Sequence, residues 1–271
     1  MLIDKITSRQ NPLIKRFRDV RQGQERHLIL IEGVRLIEEA INAQLHFEVV
    51  VYTDRLHNTE RGQKLYDQLL KLSCRGALVT EPIMLAMSDV SSPQGVAAIA
   101  HLPYASMDDA INKPVPLVVI AHQLQDPGNI GTIIRTAEAV GADSLITTLG
   151  TVNPFNLKAL RAAMGAAFRL PIILSIKVPQ VLEFCQTSGL QIVTASTKGQ
   201  TEYTKFDWKL PTALILGSEA DGIDKFIEKA AKENISIPMA KPVESLNVAT
   251  ASAILLYEAA RQRQFQFSEV S

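Results

Sequence analysis

The chain is poor in cysteine. Cys74 and Cys185 are its only two, too few for a disulfide framework or a cysteine zinc cluster, and no metal site is expected. It lacks long apolar runs. LVVIA at 117–121 falls far short of the ~20 residues that a membrane span needs. The opening MLIDKITSRQNPLIKRF has no apolar h-region, so no secretory signal is read there and the expected compartment is the cytoplasm. There is also no excess of one charge. Twenty-eight basic residues balance 28 acidic ones, which excludes a uniformly basic nucleic-acid coat.

What remains is the composition of a packed globular protein, 46% hydrophobic and 21% charged over 271 residues. At ~100–200 residues per domain, that length suits two domains. Charge is uneven in one place. Residues 1–26 hold seven basic side chains against three acidic ones.

Periodicity predicts an α/β chain. In the first half, Leu13, Phe17 and Val20 mark one face of a helix over 12–21 whose basic side chains lie mostly off that face. Strands are expected at 27–33, 47–53, 77–80 and 95–100, and helices at 34–43 and around Leu65, Leu69 and Leu72. Residues 101–116, with Pro103, Pro114 and Pro116, read as a linker carrying a short helix near 106–112. The second half restarts with a near-continuous apolar run, which suits a strand buried on both faces of a parallel sheet. Further strands are expected at 144–148, 172–176, 191–195, 212–217 and 235–238, and helices at 129–140, 156–164, 178–188, 224–232 and 245–263. The domains are set at 1–107 and 108–271.

Three loop-and-helix segments of the second half stand out. In QLQDPGNIGTIIRTAEAVGAD (123–143), Pro127 and Gly128 make a turn and Asn129 can cap the helix that follows. Arg135 lies off the buried stripe, and a surface arginine paired with Glu138 is one reading of it. In LILGSEADGID (214–224), a buried strand runs into Gly217, Glu219 and Gly222. Either a close approach of backbone to ligand or a structural turn accounts for those glycines. In ISIPMAKPVESLNVATASAILLYEAARQR (235–263), a strand leads through an irregular stretch to Ser245-Leu246-Asn247 and a long apolar helix. Ser245 is a candidate N-cap, and the helix start offers free N–H donors.

Together and in this order, NIGTIIRTA, LILGSEADGI and IPMAKPVESLNVATA resemble the three motifs of the TrmH/SpoU family of RNA 2′-O-ribose methyltransferases, in the SPOUT superfamily. ITSRQNPLIKRFRDV, ILIEGVRLIEEA and SPQGVAAI are similar to the substrate-binding domain often fused in front. Ala249 departs from the pattern, since many relatives have serine after NV.

The resemblance implies a ribosomal-protein-like α/β RNA-binding domain followed by a SPOUT α/β domain with a trefoil knot. It implies an S-adenosylmethionine pocket lined by Ala195, Ser196, Thr197, Leu216, Gly217, Glu219, Ile237, Met239, Leu246 and Asn247. It places Arg135 at the chemistry, with Asn129, Glu219, Ser245 and Asn247 around it. For RNA it points to Arg9, Lys15, Arg16 and Arg18 on and before the basic helix. It further implies a homodimer, with Ala253, Leu256, Tyr257 and Ala260 widening the apolar surface of the last helix. The expected substrate is ribosomal RNA of the 23S type. Transfer RNA, and a non-catalytic RNA-binding or ribosome-assembly role, are the alternatives.

Overall fold

A computed structural model describes residues 2–218 and 222–265. Its secondary elements run in the order β1 (Leu2–Ile6), α1 (Pro12–Arg21), β2 (Leu28–Glu32), α2 (Val34–Asn42), β3 (Phe47–Tyr52), α3 (Glu60–Leu69), β4 (Arg75–Val79), α4 (Glu81–Met87), β5 (Val96–His101), β6 (Leu117–Ala121), α5 (Pro127–Ala139) and β7 (Ser144–Thr148). The chain continues through α6 (Leu157–Ala163), β8 (Ile172–Ile176), α7 (Val178–Thr187), β9 (Gln191–Ala195), β10 (Thr201–Glu202), β11 (Thr212–Leu216), α8 (Lys225–Ala230), β12 (Glu233–Ser236) and α9 (Val248–Gln262). Between 101 and 116 only a single 3-10 turn forms, at Met107–Asp109, closed by a capping box between Ser106 and Asp109.

Two compact units result. The first comprises residues 1–103 and 155–168, the second 104–154 and 169–271. The expected division at 107/108 was read from a change in composition. It could not reveal that α6, far along the chain, sends Leu157 into the core that Phe17, Val51, Met84 and Ile99 build in the first unit.

The first unit has a five-stranded sheet in the order β1-β4-β3-β5-β2. β5 runs antiparallel to both β2 and β3, and the other pairs are parallel. β1 and α4 escaped the sequence reading. β1 is an edge strand, with Ile3, Asp4 and Lys5 exposed and Ile6 buried, so it carries almost no apolar alternation.

The second unit has a seven-stranded sheet in the order β10-β12-β9-β11-β6-β7-β8, parallel throughout. Every residue of β6, β7 and β11 is buried, as expected of central parallel strands covered on both faces. Cys185 sits in this core, and burial pushes its thiol up to about 12, which makes it an inert packing residue.

Candidate active site

Parallel strands end together, and the loops that leave their carboxyl ends form a natural crevice. Here β12, β9 and β11 are neighbours in the sheet. β9 ends at Ala195, β11 ends at Leu216, and β12 is followed by Ile237. The loops beyond them enclose a cavity of about 680 Å³. Nine of the ten residues expected in the cofactor pocket line it: Ala195, Ser196, Thr197, Leu216, Gly217, Ile237, Met239, Leu246 and Asn247. The tenth, Glu219, lies outside the described residues. Ser245 and Gly222 line the same cavity, and so do Lys198, Ser218, Ile223, Ile235, Val248 and Ala251, none of which was singled out from the sequence. Ala251 was legible in principle, because it stands one helical turn after Asn247 on the same face of α9.

The helix starts differ from the sequence reading. Asp126, not Asn129, is the N-cap of α5, and its side chain accepts from the Asn129 amide at 2.9 Å. Asn129 is thereby placed inside the first turn. Asn247, not Ser245, caps α9. Its Oδ1 accepts from the backbone of Ala249 at 2.9 Å and of Thr250 at 3.3 Å. The two asparagines then meet, with Asn247 Nδ2 donating to Asn129 Oδ1 at 3.0 Å. Residues 118 positions apart are joined in this way, because α5 packs on α9.

Gly217 is required by the protein itself. A Cβ there would collide with the carbonyl of Gly222 and with Ile223 Cγ1. Of the two readings of this glycine, the structural turn accounts for it even before any ligand is considered. Asp224 caps α8 by accepting from Phe226 at 2.8 Å and Ile227 at 2.9 Å. Its other oxygen lies 3.6 Å from Nε2 of buried His122. The other ring nitrogen of His122 is 3.0 Å from Thr148 Oγ1. Burial lowers the pKa of His122, against an opposing pull from Asp224.

Arg135 does not line the cavity. It is exposed on α5. The pairing with Glu138 read from the sequence does not form, because Glu138 is taken by Arg169, whose Nε stands 2.5 Å away. Ser245 and Asn247 therefore converge on the cavity, Asn129 touches it through Asn247, and Arg135 stands apart.

On the N-terminal helix, Arg9, Lys15 and Arg18 are exposed. Arg16 is different: it pairs with Glu25 at 3.1 Å and Glu48 at 2.5 Å, and the Glu25 hydrogen bond raises its pKa. On α9, Leu256 and Ala260 are already buried, Ala253 is half-buried, and Tyr257 is 49% exposed.

Two family profiles match the chain. The SpoU rRNA Methylase family covers residues 116–257, and the MRM3-like substrate binding domain covers 11–98. An uncharacterized tRNA/rRNA methyltransferase of Synechocystis, slr1673, is 34% identical, with 96% of this chain and 95% of the relative aligned. The 23S rRNA (guanosine(2553)-2′-O)-methyltransferase RlmP of Bacillus subtilis is 29% identical over 93% of this chain and 98% of its own. An AdoMet-bound rRNA methyltransferase from Sinorhizobium meliloti superposes with a TM-score of 0.86 at 28% identity, covering 98% of this chain and 99% of that one. With the family profile spanning more than half of its length and a near full-length relative above 30% identity, the chain belongs to the SpoU rRNA methylase family.

Proposed function

We propose that this chain transfers the methyl group of S-adenosylmethionine to a ribose 2′-hydroxyl of 23S-type ribosomal RNA. The observation that carries the reading is the convergence of three sequence-remote segments, 195–197, 216–217 and 237–247, on one cavity at the carboxyl ends of adjacent parallel strands. The cavity fits the cofactor. Leu216, Ile237, Met239 and Leu246 offer apolar walls for an adenine ring, and Ser196, Thr197 and Asn247 offer polar groups at its edge. When bound, S-adenosylmethionine supplies an electrophilic methyl group. The order of the sheet, with β11 inserted between β6 and β9 after the chain has run out to β8 and back, supports the trefoil knot implied by the resemblance.

A hydroxyl is a weak nucleophile and must be held in line and relieved of its proton. Arg135 suits the first task. A guanidinium stays protonated, so it grips a phosphate and offsets negative charge growing on the 2′-oxygen rather than acting as base. Its proposed neighbours are Asn129, Glu219, Ser245 and Asn247. Since Arg135 stands apart from the cavity of its own chain, the reading includes a homodimer, with exposed Tyr257 on α9 available to a second copy. Among the described residues no helix is long and apolar enough to cross a membrane, and the proposed setting is the cytoplasm, where ribosomal RNA is found.

Arg135→Ala tests the assignment. Stability should stay within about 0.5 kcal/mol of the parent, as for other exposed positions, and calorimetry should show cofactor affinity nearly unchanged. Methyl transfer to ribosomal RNA should fall at least ~10²-fold, the scale for losing one transition-state partner. Near-normal turnover would return Arg135 to an ordinary surface arginine. Mapping ribose methylation in wild-type and deletion cells identifies the target. A lost site in transfer RNA alone would overturn the ribosomal assignment.

A further inference from the structure

Among the described residues that line the cofactor cavity, a single side chain is charged: Lys198, on the turn that follows β9. The sheet holds this turn in place. The Gly199 amide donates to the Ser196 carbonyl at 3.1 Å, which closes the turn over Thr197 and Lys198. The Ser196 amide donates to the Ile235 carbonyl of β12 at 3.0 Å. Gly199 passes so near β12 that a Cβ on it would stand 2.3 Å from the carbonyl carbon of Ile235. The backbone under Lys198 is thus fixed, while its side chain is exposed and forms no ion pair with a described residue. No second cation competes for the cavity. Asp224, Lys241 and Glu244 stand on the same loops but do not line it, and neither does Arg135. Residues 219–221, outside the described set, are Glu219, Ala220 and Asp221, none of them basic.

We infer that Lys198 holds the carboxylate of the cofactor's methionine tail, and so selects S-adenosylmethionine over related nucleosides that lack this group. S-adenosylmethionine has two positive centres, the sulfonium and the α-ammonium, and one negative centre, the α-carboxylate. A lysine ammonium is repelled by the first two and attracted by the third. It brings three N–H donors to a carboxylate that can only accept. Glu219, which the resemblance puts in the pocket, and Asp221 have the wrong sign for that partner. The apolar residues Leu216, Ile237, Met239 and Leu246 come from β11 and the stretch after β12. With the adenine against them, Lys198 draws the tail toward the loop after β9. The inference rests on the reading of this cavity as the S-adenosylmethionine site and adds the residue that reads the tail of the ligand.

The test titrates the full chain, by calorimetry, with S-adenosylmethionine and with decarboxylated S-adenosylmethionine, which keeps the adenosine, sulfonium and amine and lacks only the carboxylate. The parent should bind the decarboxylated form about tenfold more weakly, between the weight of an exposed ion pair and that of a charge-assisted hydrogen bond. Lys198→Met keeps most of the side chain's length and removes its charge. It should weaken S-adenosylmethionine by about tenfold and bring the two ligands within about threefold of each other. Lys198→Arg should restore the preference. Lys241→Met, which removes a cation outside the cavity, should bind both ligands as the parent does. The melting temperature should stay at the parent's, as for other exposed positions. If Lys198→Met does not fold, Lys198→Gln in the same titration decides. A folded Lys198 variant that keeps the parent's preference overturns the inference, and so does an equal loss in Lys198→Met and Lys241→Met. Weakened RNA binding with an unchanged ligand preference would assign Lys198 to an RNA phosphate and overturn it as well. If the parent binds both ligands equally well, the role of Lys198 fails and the cofactor site stands. If the parent binds neither, the cofactor site itself fails, and the inference with it.

Discussion

Asn247 joins three features of the candidate site, and replacing it separates them. Its Oδ1 caps α9 through Ala249 at 2.9 Å and Thr250 at 3.3 Å, its Nδ2 reaches Asn129 at 3.0 Å, and it lines the cofactor cavity. Asn247→Ala removes both the cap, worth ~0.5–2 kcal/mol, and the cross-helix bond, worth ~0.5–1.5 kcal/mol. The expected loss is therefore ~1–3.5 kcal/mol. Asn247→Ser keeps a comparable cap but is too short to reach Asn129, so it should lose only the second contribution, ~0.5–1.5 kcal/mol. Urea unfolding followed by far-UV circular dichroism reads both, provided the slope with denaturant does not change. The difference between the two variants isolates the cap. If alanine and serine destabilise equally, Asn247 does not cap α9. If serine costs nothing, the bond to Asn129 contributes nothing. Cofactor affinity should fall about 2–10-fold in the serine variant, as for the loss of one partly exposed polar contact. Wild-type affinity would remove Asn247 from the binding surface.

Arg263 donates to four carbonyls, those of Trp208 at 2.7 Å, Val115 and Leu210 at 2.9 Å and Pro116 at 3.2 Å. Arg263→Ala should cost at least ~2 kcal/mol in the same unfolding assay, and Arg263→Lys should recover little, because an ammonium lacks the planar fork. Changing Arg9, Lys15 and Arg18 together to alanine should flatten the slope of log K against log salt for RNA by ~2–3. Arg16→Ala should leave that slope unchanged and destabilise the first unit instead, since Arg16 is already paired with Glu25 and Glu48. The pKa of His122 in the folded chain lies below its ordinary 6.5, so the unfolded chain binds the extra proton first. Stability should therefore be intact above pH ~6.5 and decline as pH falls below it. His122→Gln should weaken that decline, and an identical pH profile in the variant would show that His122 does not titrate as its burial requires.

Composition and periodicity were sufficient for the α/β class, for most strands and helices, and for the buried run of β6, because burial on both faces leaves an unbroken apolar stretch. The three motifs were legible because each puts polar residues and a helix start at short spacing, the first two with glycines and the third with prolines. Their meeting at one cavity was not legible in the residues alone, since it depends on β9, β11 and β12 lying side by side in the sheet. Local spacing also could not choose among competing partners. Glu138 is within reach of Arg135 along α5 but binds Arg169, and both Asn129 and Ser245 are good capping residues that lose to Asp126 and Asn247. The affiliation of α6 with the first unit belongs to the same class. All of these arise from contacts between residues distant in the chain, where packing and desolvation outweigh any preference encoded nearby.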